Sequence, residues 1–182
     1  MKGGGSGFGS GRFVLAVNYT ISAKETKYKG IWFRSRLEAR WAAFFDLIGV
    51  KYHYEPFDLP GWSPDFLIQN DVMDAGPITW LLEVKPILAP DDALFNKIEG
   101  ALEAGVSANA APLLVGLAPR FEYRYDPPHV AWGRYGGKAH DMSLLVIIPT
   151  SEWPKARSRG EGYWENMWGE AHNLSRFWKP KP

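Results

Sequence analysis

Residues 79–85 read TWLLEVK, and no other stretch of the chain restricts its fold as much. Trp80, Leu82 and Val84 fall at alternate positions, and so do Glu83 and Lys85. A strand therefore sends the apolar set to one face, against a core, and the two charges to the other. Charges in so apolar a strand are expensive unless something compensates them.

A hard divalent cation would supply that compensation. Mg²⁺ takes oxygen ligands, usually one or two carboxylates together with waters and substrate phosphate oxygens. Asp65, in Ser63-Pro64-Asp65-Phe66, and Glu83 offer the carboxylates, and the Val84 carbonyl adds an oxygen. An ion there polarises a phosphodiester, lowers the pKa of a bound water and orients it for in-line attack. Lys85 beside it stabilises developing negative charge or holds the water. Plainer readings stand beside these: Asp65 suits a turn or strand edge after Pro64, and Glu83 with Lys85 suits an ion pair on an exposed face.

Periodicity predicts the surrounding elements. Ser35 is an N-cap, Leu37, Trp41, Phe44, Phe45 and Ile48 recur at helical spacing, and Gly49 stops the helix. Ser35-Arg36-Leu37-Glu38 has the form of a capping box, yet the angular count puts Glu38 at the edge of the apolar arc. A capping role and an active-site role both remain open. Residues 51–57 alternate as a strand with Tyr52 and Tyr54 on one face, 63–68 and 79–85 are further strands, and QNDVMDAGP between the last two is a turn. Pro90, Asp91 and Asp92 open a second helix carrying Leu94, Phe95, Ile98, Ala101 and Leu102, closed by Gly105, and residues 112–117 form a buried strand. A helix crossing between strands requires a parallel pair, so the class is α/β or α+β with a mixed sheet. Further on, residues 121–125 alternate, Asp126-Pro127-Pro128 and Gly136-Gly137 are turns, and 144–148 read as a buried strand. Trp164, Met167, Trp168, Ala171 and Ser175 share one face of a C-terminal helix. Residues 1–26 form a flexible Gly-rich basic arm with a short strand at 12–17. Residues 27–182 form one domain, with a core over 27–118 and an aromatic-rich extension over 119–182.

The pieces FRSRLEARWAAFFDLIGV, YHYEP, SPDFLI and WLLEVKP, spread over about half the chain, resemble the PD-(D/E)XK nuclease superfamily. The helix RSRLEARWA followed by YEP and PDF is most similar to its small phage-borne or homing-type members. The resemblance implies a restriction-endonuclease-like core, helix-strand-strand-strand-helix-strand, with a central mixed sheet flanked by helices. It also implies cleavage of DNA with Mg²⁺, for which Mn²⁺ substitutes. Asp65 and Glu83 would bind the metal, Lys85 would assist the nucleophile, and Glu38 would be an accessory ligand or a supporting carboxylate.

Composition excludes several other chemistries. With no cysteine among 182 residues there is no disulfide framework, thiolate zinc site or cysteine nucleophile, and a reducing compartment is permitted. His53, His129, His140 and His172 lack zinc-ligand spacing, and no G-x-S-x-G elbow occurs. No apolar run approaches the ~20 residues that span a membrane, and Gly and Ser fill the place of a signal peptide's apolar stretch. The expectation is a soluble cytoplasmic protein without membrane contact.

The net charge of +1 conceals an opposition. Residues 1–40 hold eight Lys and Arg against two Glu, and residues 41–105 hold three basic against eleven acidic residues. The acidic block contains the proposed cation ligands, and the basic block is suited to tracking a phosphate backbone. Lys24, Lys27, Lys29, Arg34, Arg36 and Arg40 are its candidate DNA contacts, a solvated helix face being the plainer reading of the three arginines. Trp132, Arg134, Tyr135 and Lys138, in a Gly-rich stretch, suit a base-stacking loop or an ordinary hairpin tip. Three functions are in view. The first is a Mg²⁺-dependent DNA endonuclease, site-specific and homing-like, working as a dimer or higher homo-oligomer. The others are a Holliday-junction or branched-DNA resolvase, and a nuclease-fold binding or inhibitor protein without cleavage activity.

Overall fold

A two-residue turn opens the described part of the chain. Lys29 and Gly30 both take positive φ, 46° and 88°, the conformation whose twist matches a tight hairpin. They join β1 (Thr26–Tyr28) to β2 (Ile31–Phe33) in antiparallel register. The computed structural model describes residues 23–72, 76–105, 110–121, 128–135, 138–159 and 162–177. The expected strand at 12–17 and most of the expected arm lie outside the described residues, as do most of the alternating stretch at 121–125 and the turn at Gly136-Gly137.

Helix α1 (Arg36–Leu47) starts where its sequence says it should. The Ser35 hydroxyl accepts the Glu38 N–H, and Gly49 at φ 77° closes the end. Its buried face, Trp41 through Phe45 with Ala39, leans on a six-stranded sheet in the order β3-β4-β5-β6-β7-β8. The strands are β3 (His53–Tyr54), β4 (Phe66–Val72), β5 (Gly76–Val84), β6 (Ala110–Val115), β7 (His129–Tyr135) and β8 (Lys138–Ser143). Helix α2 (Asp92–Gly105) crosses from β5 to β6, the one parallel pair; every other neighbouring pair is antiparallel. The architecture is a mixed α/β one, a central sheet flanked by helices.

Strand alternation divides the interior between two faces. Phe66, Ile68, Trp80, Leu82, Val84, Leu113 and Val115 join α1 in the main core. On the opposite face Leu81 packs with Ile98 and Ala101 of α2, and Leu114 with Phe95 and Trp132. β5 is thus buried on both sides. Helix α4 (Tyr163–Phe177), preceded by the short α3 (Trp153–Arg157), covers α1. Trp168 meets Trp41 at 4.8 Å and Phe44 at 5.5 Å between ring centroids. The Arg40 guanidinium lies 3.9 Å over the Trp168 ring and its Nη2 donates to the Trp168 carbonyl at 3.0 Å. The buried face of α4 is Trp164, Trp168, Ala171 and Ser175, as its spacing predicts. Among the described residues no helix is long and apolar enough to cross a membrane.

Four expected elements differ. Residues 144–148 form a 3₁₀ turn (Leu144–Val146) rather than a strand. Leu144, Ile147 and Ile148 are buried, but the carbonyls of Val146 and Ile148 accept from the Asn70 side-chain amide, not from a strand ladder. A short apolar run carries no period that separates these outcomes. β3 has only two residues, because Glu55 at φ 44° turns the chain out of extended geometry. β4 and β5 run further than predicted into the polar connection, since each supplies the other's backbone partners from Phe66↔Leu82 to Val72↔Gly76.

Trp168→Ala is expected to cost about 3–5 kcal/mol, the range for emptying a large buried ring site. Urea denaturation would show it as a lower midpoint with an unchanged slope. A loss below ~1 kcal/mol would mean that α4 contributes little to holding α1.

Candidate functional site

β4 and β5 pair as far as Phe66↔Leu82, and the next residue outward on each is acidic. Asp65 and Glu83 therefore sit side by side at one end of the ladder, on the face that looks towards α2. Asp65 is anchored by its backbone: its N–H donates to the Leu82 carbonyl at 2.9 Å, and its carbonyl accepts the Glu55 N–H at 2.9 Å. Its Oδ2 accepts the Val84 N–H at 2.7 Å and its Oδ1 takes Arg34 Nη2 at 2.5 Å. Glu83 Oε2 accepts from Trp62 Nε1 at 2.8 Å, and Oε1 pairs with Lys85 Nζ at 2.6 Å. Asp65 is 3% and Glu83 6% exposed, whereas the side chains of Arg34 and Lys85 remain 53% and 42% exposed. The carboxylates form a floor, and the cations reach over it from solvent.

This floor opens into a cleft of about 600 Å³, lined by Arg34, Glu38, Asp65, Glu83, Lys85 and Lys97 together with the turn at 58–63. In that turn Leu59 and Trp62 exchange backbone hydrogen bonds around Gly61 at φ 78°, which presents the Trp62 indole to Glu83. Glu38 does the work of a helix cap. Its Oε1 accepts from the Ser35 hydroxyl at 2.7 Å, and its Oε2 from the Arg34 N–H at 3.1 Å and the Tyr54 hydroxyl at 2.6 Å. The same carboxylate lines the cleft.

The electrostatics are unbalanced. Burial, then the charge of Glu83, pushes the Asp65 carboxyl up to about 7, although the Val84 N–H and Arg34 pull the other way. For Arg34, burial opposes its charge, but Asp65, Glu55 and the Tyr54 hydroxyl outweigh it and hold the guanidinium firmly protonated. The half-exposed Arg34 and Lys85 pair with these buried carboxylates from solvent but do not bring the Asp65 carboxyl back to its ordinary range. A hard cation would, and the donors fit one: two carboxylates, all oxygen, on the floor of an open cleft. Among the described residues no cluster of three or more His, Cys, Asp or Glu is placed to hold a metal. An ion bound here would take its remaining ligands from water or substrate, as Mg²⁺ commonly does.

The structure brings Glu38, Asp65, Glu83, Lys85 and Arg34 together and engages Val84 through its N–H. His53 lies outside the cleft lining. Of the expected DNA contacts, Lys24, Lys27, Arg36 and Lys138 are on the surface, and Lys29 pairs with Asp46 at 2.9 Å. Three need correction. Arg40 is committed to Trp168, and burial lowers its pKa to about 10. Trp132 is 4% exposed, packed with Phe95 and Leu114 under the Arg120 guanidinium, so its ring offers no stacking surface. Arg134 reaches α2, with Nη1 2.5 Å from Asn96 Oδ1 and 3.2 Å from Glu99 Oε2. Both residues sit within β7, where alternation turns them towards α2, and not at the hairpin tip. Sequence reasoning missed Trp62, Tyr54 and Lys97, and it missed the pairing of Arg34 with Asp65. Leu-Pro-Gly-Trp is a turn signal that would have flagged Trp62; contacts this distant in sequence leave no such trace.

No family model, curated protein or solved structure matches the chain. The reading of the site rests on its geometry and chemistry.

The Asp65 carboxyl gives a pH signature. Its folded pKa near 7 lies above its ordinary 3.8, so the folded form keeps the proton longer. The stability this contributes is full below about pH 4 and is lost as pH rises through 7, by as much as about 4 kcal/mol. Without divalent ions, Asp65→Asn, which keeps the acceptor for Val84 N–H, should flatten denaturation midpoints between pH 4 and 8. Superimposable pH profiles for the two proteins would refute this electrostatic picture.

Proposed function

We propose that this chain is a metal-dependent endodeoxyribonuclease of the PD-(D/E)XK kind, with a restriction-endonuclease-like core. The observation that carries the reading is the pair Asp65 and Glu83 on adjacent strand ends, with Lys85 on Glu83, at the floor of an open cleft. The element order supports it: α1, the antiparallel β3-β4-β5, the crossover α2, then β6 parallel to β5. That order is compatible with the core that the sequence resemblance implies. A chain without cysteine suits a reducing, cytoplasmic compartment.

Asp65 and Glu83 would hold Mg²⁺, or Mn²⁺ in its place; bound there, the ion supplies positive charge to a phosphodiester and acidifies a bound water. The chain's own groups do the rest. Trp62 Nε1 and the Val84 N–H fix one oxygen of each carboxylate, leaving Glu83 Oε1 and Asp65 Oδ1 towards the cleft. Lys85 Nζ, on Glu83 Oε1, is placed to donate to an attacking water or to a non-bridging phosphate oxygen as negative charge develops. Arg34 holds the second cleft-facing oxygen and also binds Glu55 through Nε at 2.6 Å. If it gives up Asp65, it keeps Glu55 as an anchor and turns its planar fork to the substrate phosphate. Cutting both strands of a duplex calls for two such sites, so the working form would be a symmetric dimer or larger homo-oligomer.

Supercoiled plasmid with Mg²⁺ should be nicked or linearised, and a chelator should stop the reaction. Glu83→Ala and Lys85→Ala, with unchanged circular dichroism, should each lose at least about 10²–10³-fold in rate. Equal cleavage by Glu83→Ala overturns the assignment, as would the absence of cleavage across linear, supercoiled and four-way-junction DNA.

A further inference from the structure

We propose that the β1–β2 hairpin is a nucleic-acid-binding wing, in which Trp32 stacks on an unpaired or splayed base near the cleavage site. This rests on the nuclease reading and specifies its substrate: DNA with a locally unstacked nucleotide, held by an aromatic platform as well as by its phosphates.

Among the described residues the hairpin is anchored through one face. Tyr28 and Phe33 are buried, and Phe33 meets Tyr54 at 4.4 Å and Phe66 at 6.3 Å between centroids. The cross-strand partners Lys27 and Trp32 lie on the other face. Trp32 is 62% exposed, and Ile31 at the turn is 43% exposed. Leaving an indole in water forgoes one of the largest burial terms available to a side chain. The ring is not free of charge partners, because Lys27 Nζ lies 5.5 Å from its centroid. An indole flanked by a lysine is the combination that binds single-stranded nucleic acid: the ring takes a base face and the ammonium takes the adjoining phosphate. Lys24, just before β1, is exposed on the same segment.

Position ties this wing to the cleft. Arg34 follows β2 two residues after Trp32, and its guanidinium reaches Asp65. At about 3.3 Å per residue the backbone at Trp32 lies only ~7 Å from that at Arg34. The Arg34 side chain spans the remaining distance to Asp65, so at about 3.4 Å per step along a strand a base on Trp32 belongs to a nucleotide a few steps from the phosphate over Asp65 and Glu83. Positive charge and continuity with the cleft favour nucleic acid over a protein partner.

Fluorescence anisotropy in a chelator, which removes cleavage from the measurement, tests this. Probes are one labelled duplex, the same duplex with a two-nucleotide central bulge, and its single strand. The wild-type chain should prefer the bulged and single-stranded probes. Trp32→Ala should weaken those by about tenfold and the duplex by less than about twofold, and Trp32→Phe should restore most of the loss. Lys27→Ala should weaken all three and reduce the salt slope by about one. Equal binding of all probes by Trp32→Ala and wild type overturns the proposal, as does a Trp32→Ala defect traced by sedimentation to loss of a dimer. Plasmid cleavage by Trp32→Ala separates the two readings. Retained cleavage with unchanged binding removes the wing alone, whereas lost probe affinity with wild-type cleavage by Glu83→Ala removes the nuclease and leaves the wing.

Discussion

Two carboxylates forced together at the end of an antiparallel ladder set the terms for everything around them. Neither Asp65 nor Glu83 has enough water to carry its charge alone, and each raises the cost for the other. Relief comes from separate elements: the Val84 N–H of β5, the Trp62 indole of the turn before β4, Lys85 beyond β5, and Arg34 beyond β2. Arg34 in turn is held through its backbone by Glu38 and Tyr54. The hairpin, the start of α1 and β3 are thereby coupled to two residues on β4 and β5. A repulsive pair that recruits donors from so many elements, and still leaves Asp65 short of charge, is a poor device for stability. Under the proposed function it is a receptor for positive charge.

The near-zero net charge is worked out locally as well as along the chain. Lys29 is taken by Asp46, Arg34 by Asp65 and Glu55, and Arg134 by Glu99. Arg40 is spent on an aromatic ring. Two cations of the basic block thus neutralise part of the acidic block inside the fold, and what the basic block offers to solvent is narrower than its sequence count suggests. Exposed pairs of this kind contribute little to stability, but they decide which cations remain available to a polyanion. Lys24, Lys27 and Arg36 remain on the surface near the start of the chain.

Legibility followed the range of the interactions. The S-x-x-E cap, the helix stop at Gly49 and the alternation of Glu83 and Lys85 are local, and each was readable. So was the juxtaposition of Asp65 with Glu83, because an antiparallel pair of strands with fixed inward residues has little choice of register. Arg34 reaching Asp65 spans 31 residues, and Trp62 reaching Glu83 spans 21; nothing in either segment alone announces the contact. The two tryptophans beside glycines show the limit well. Trp132 stood out because glycines follow it, yet it lies inside β7, facing α2. Trp32 drew no notice, yet burial of Tyr28 and Phe33 fixes the phase of its hairpin and turns it outward. Alternation says that neighbours face opposite ways. Which way each faces is settled by the core.

Trp132 has a structural task instead, and it bears on the site from behind. Gly116 follows β6 at a point where four parts of the molecule converge. Its carbonyl accepts Trp41 Nε1 at 2.9 Å. A side-chain carbon placed on it would come within 2.6 Å of the Ile87 carbonyl and 2.9 Å of the Trp132 ring. Leu117 donates to that same Ile87 carbonyl, and the Lys85 N–H donates to Val115. Only a glycine lets the segment after Lys85 lie so close to β6 while α1 presses from one face and β7 from the other. The backbone of Lys85 is thus fixed by packing that its own side chain takes no part in, and the ammonium is left to pair with Glu83. Trp132 of β7 thus backs the strand end that carries an exposed lysine and a buried glutamate two residues apart.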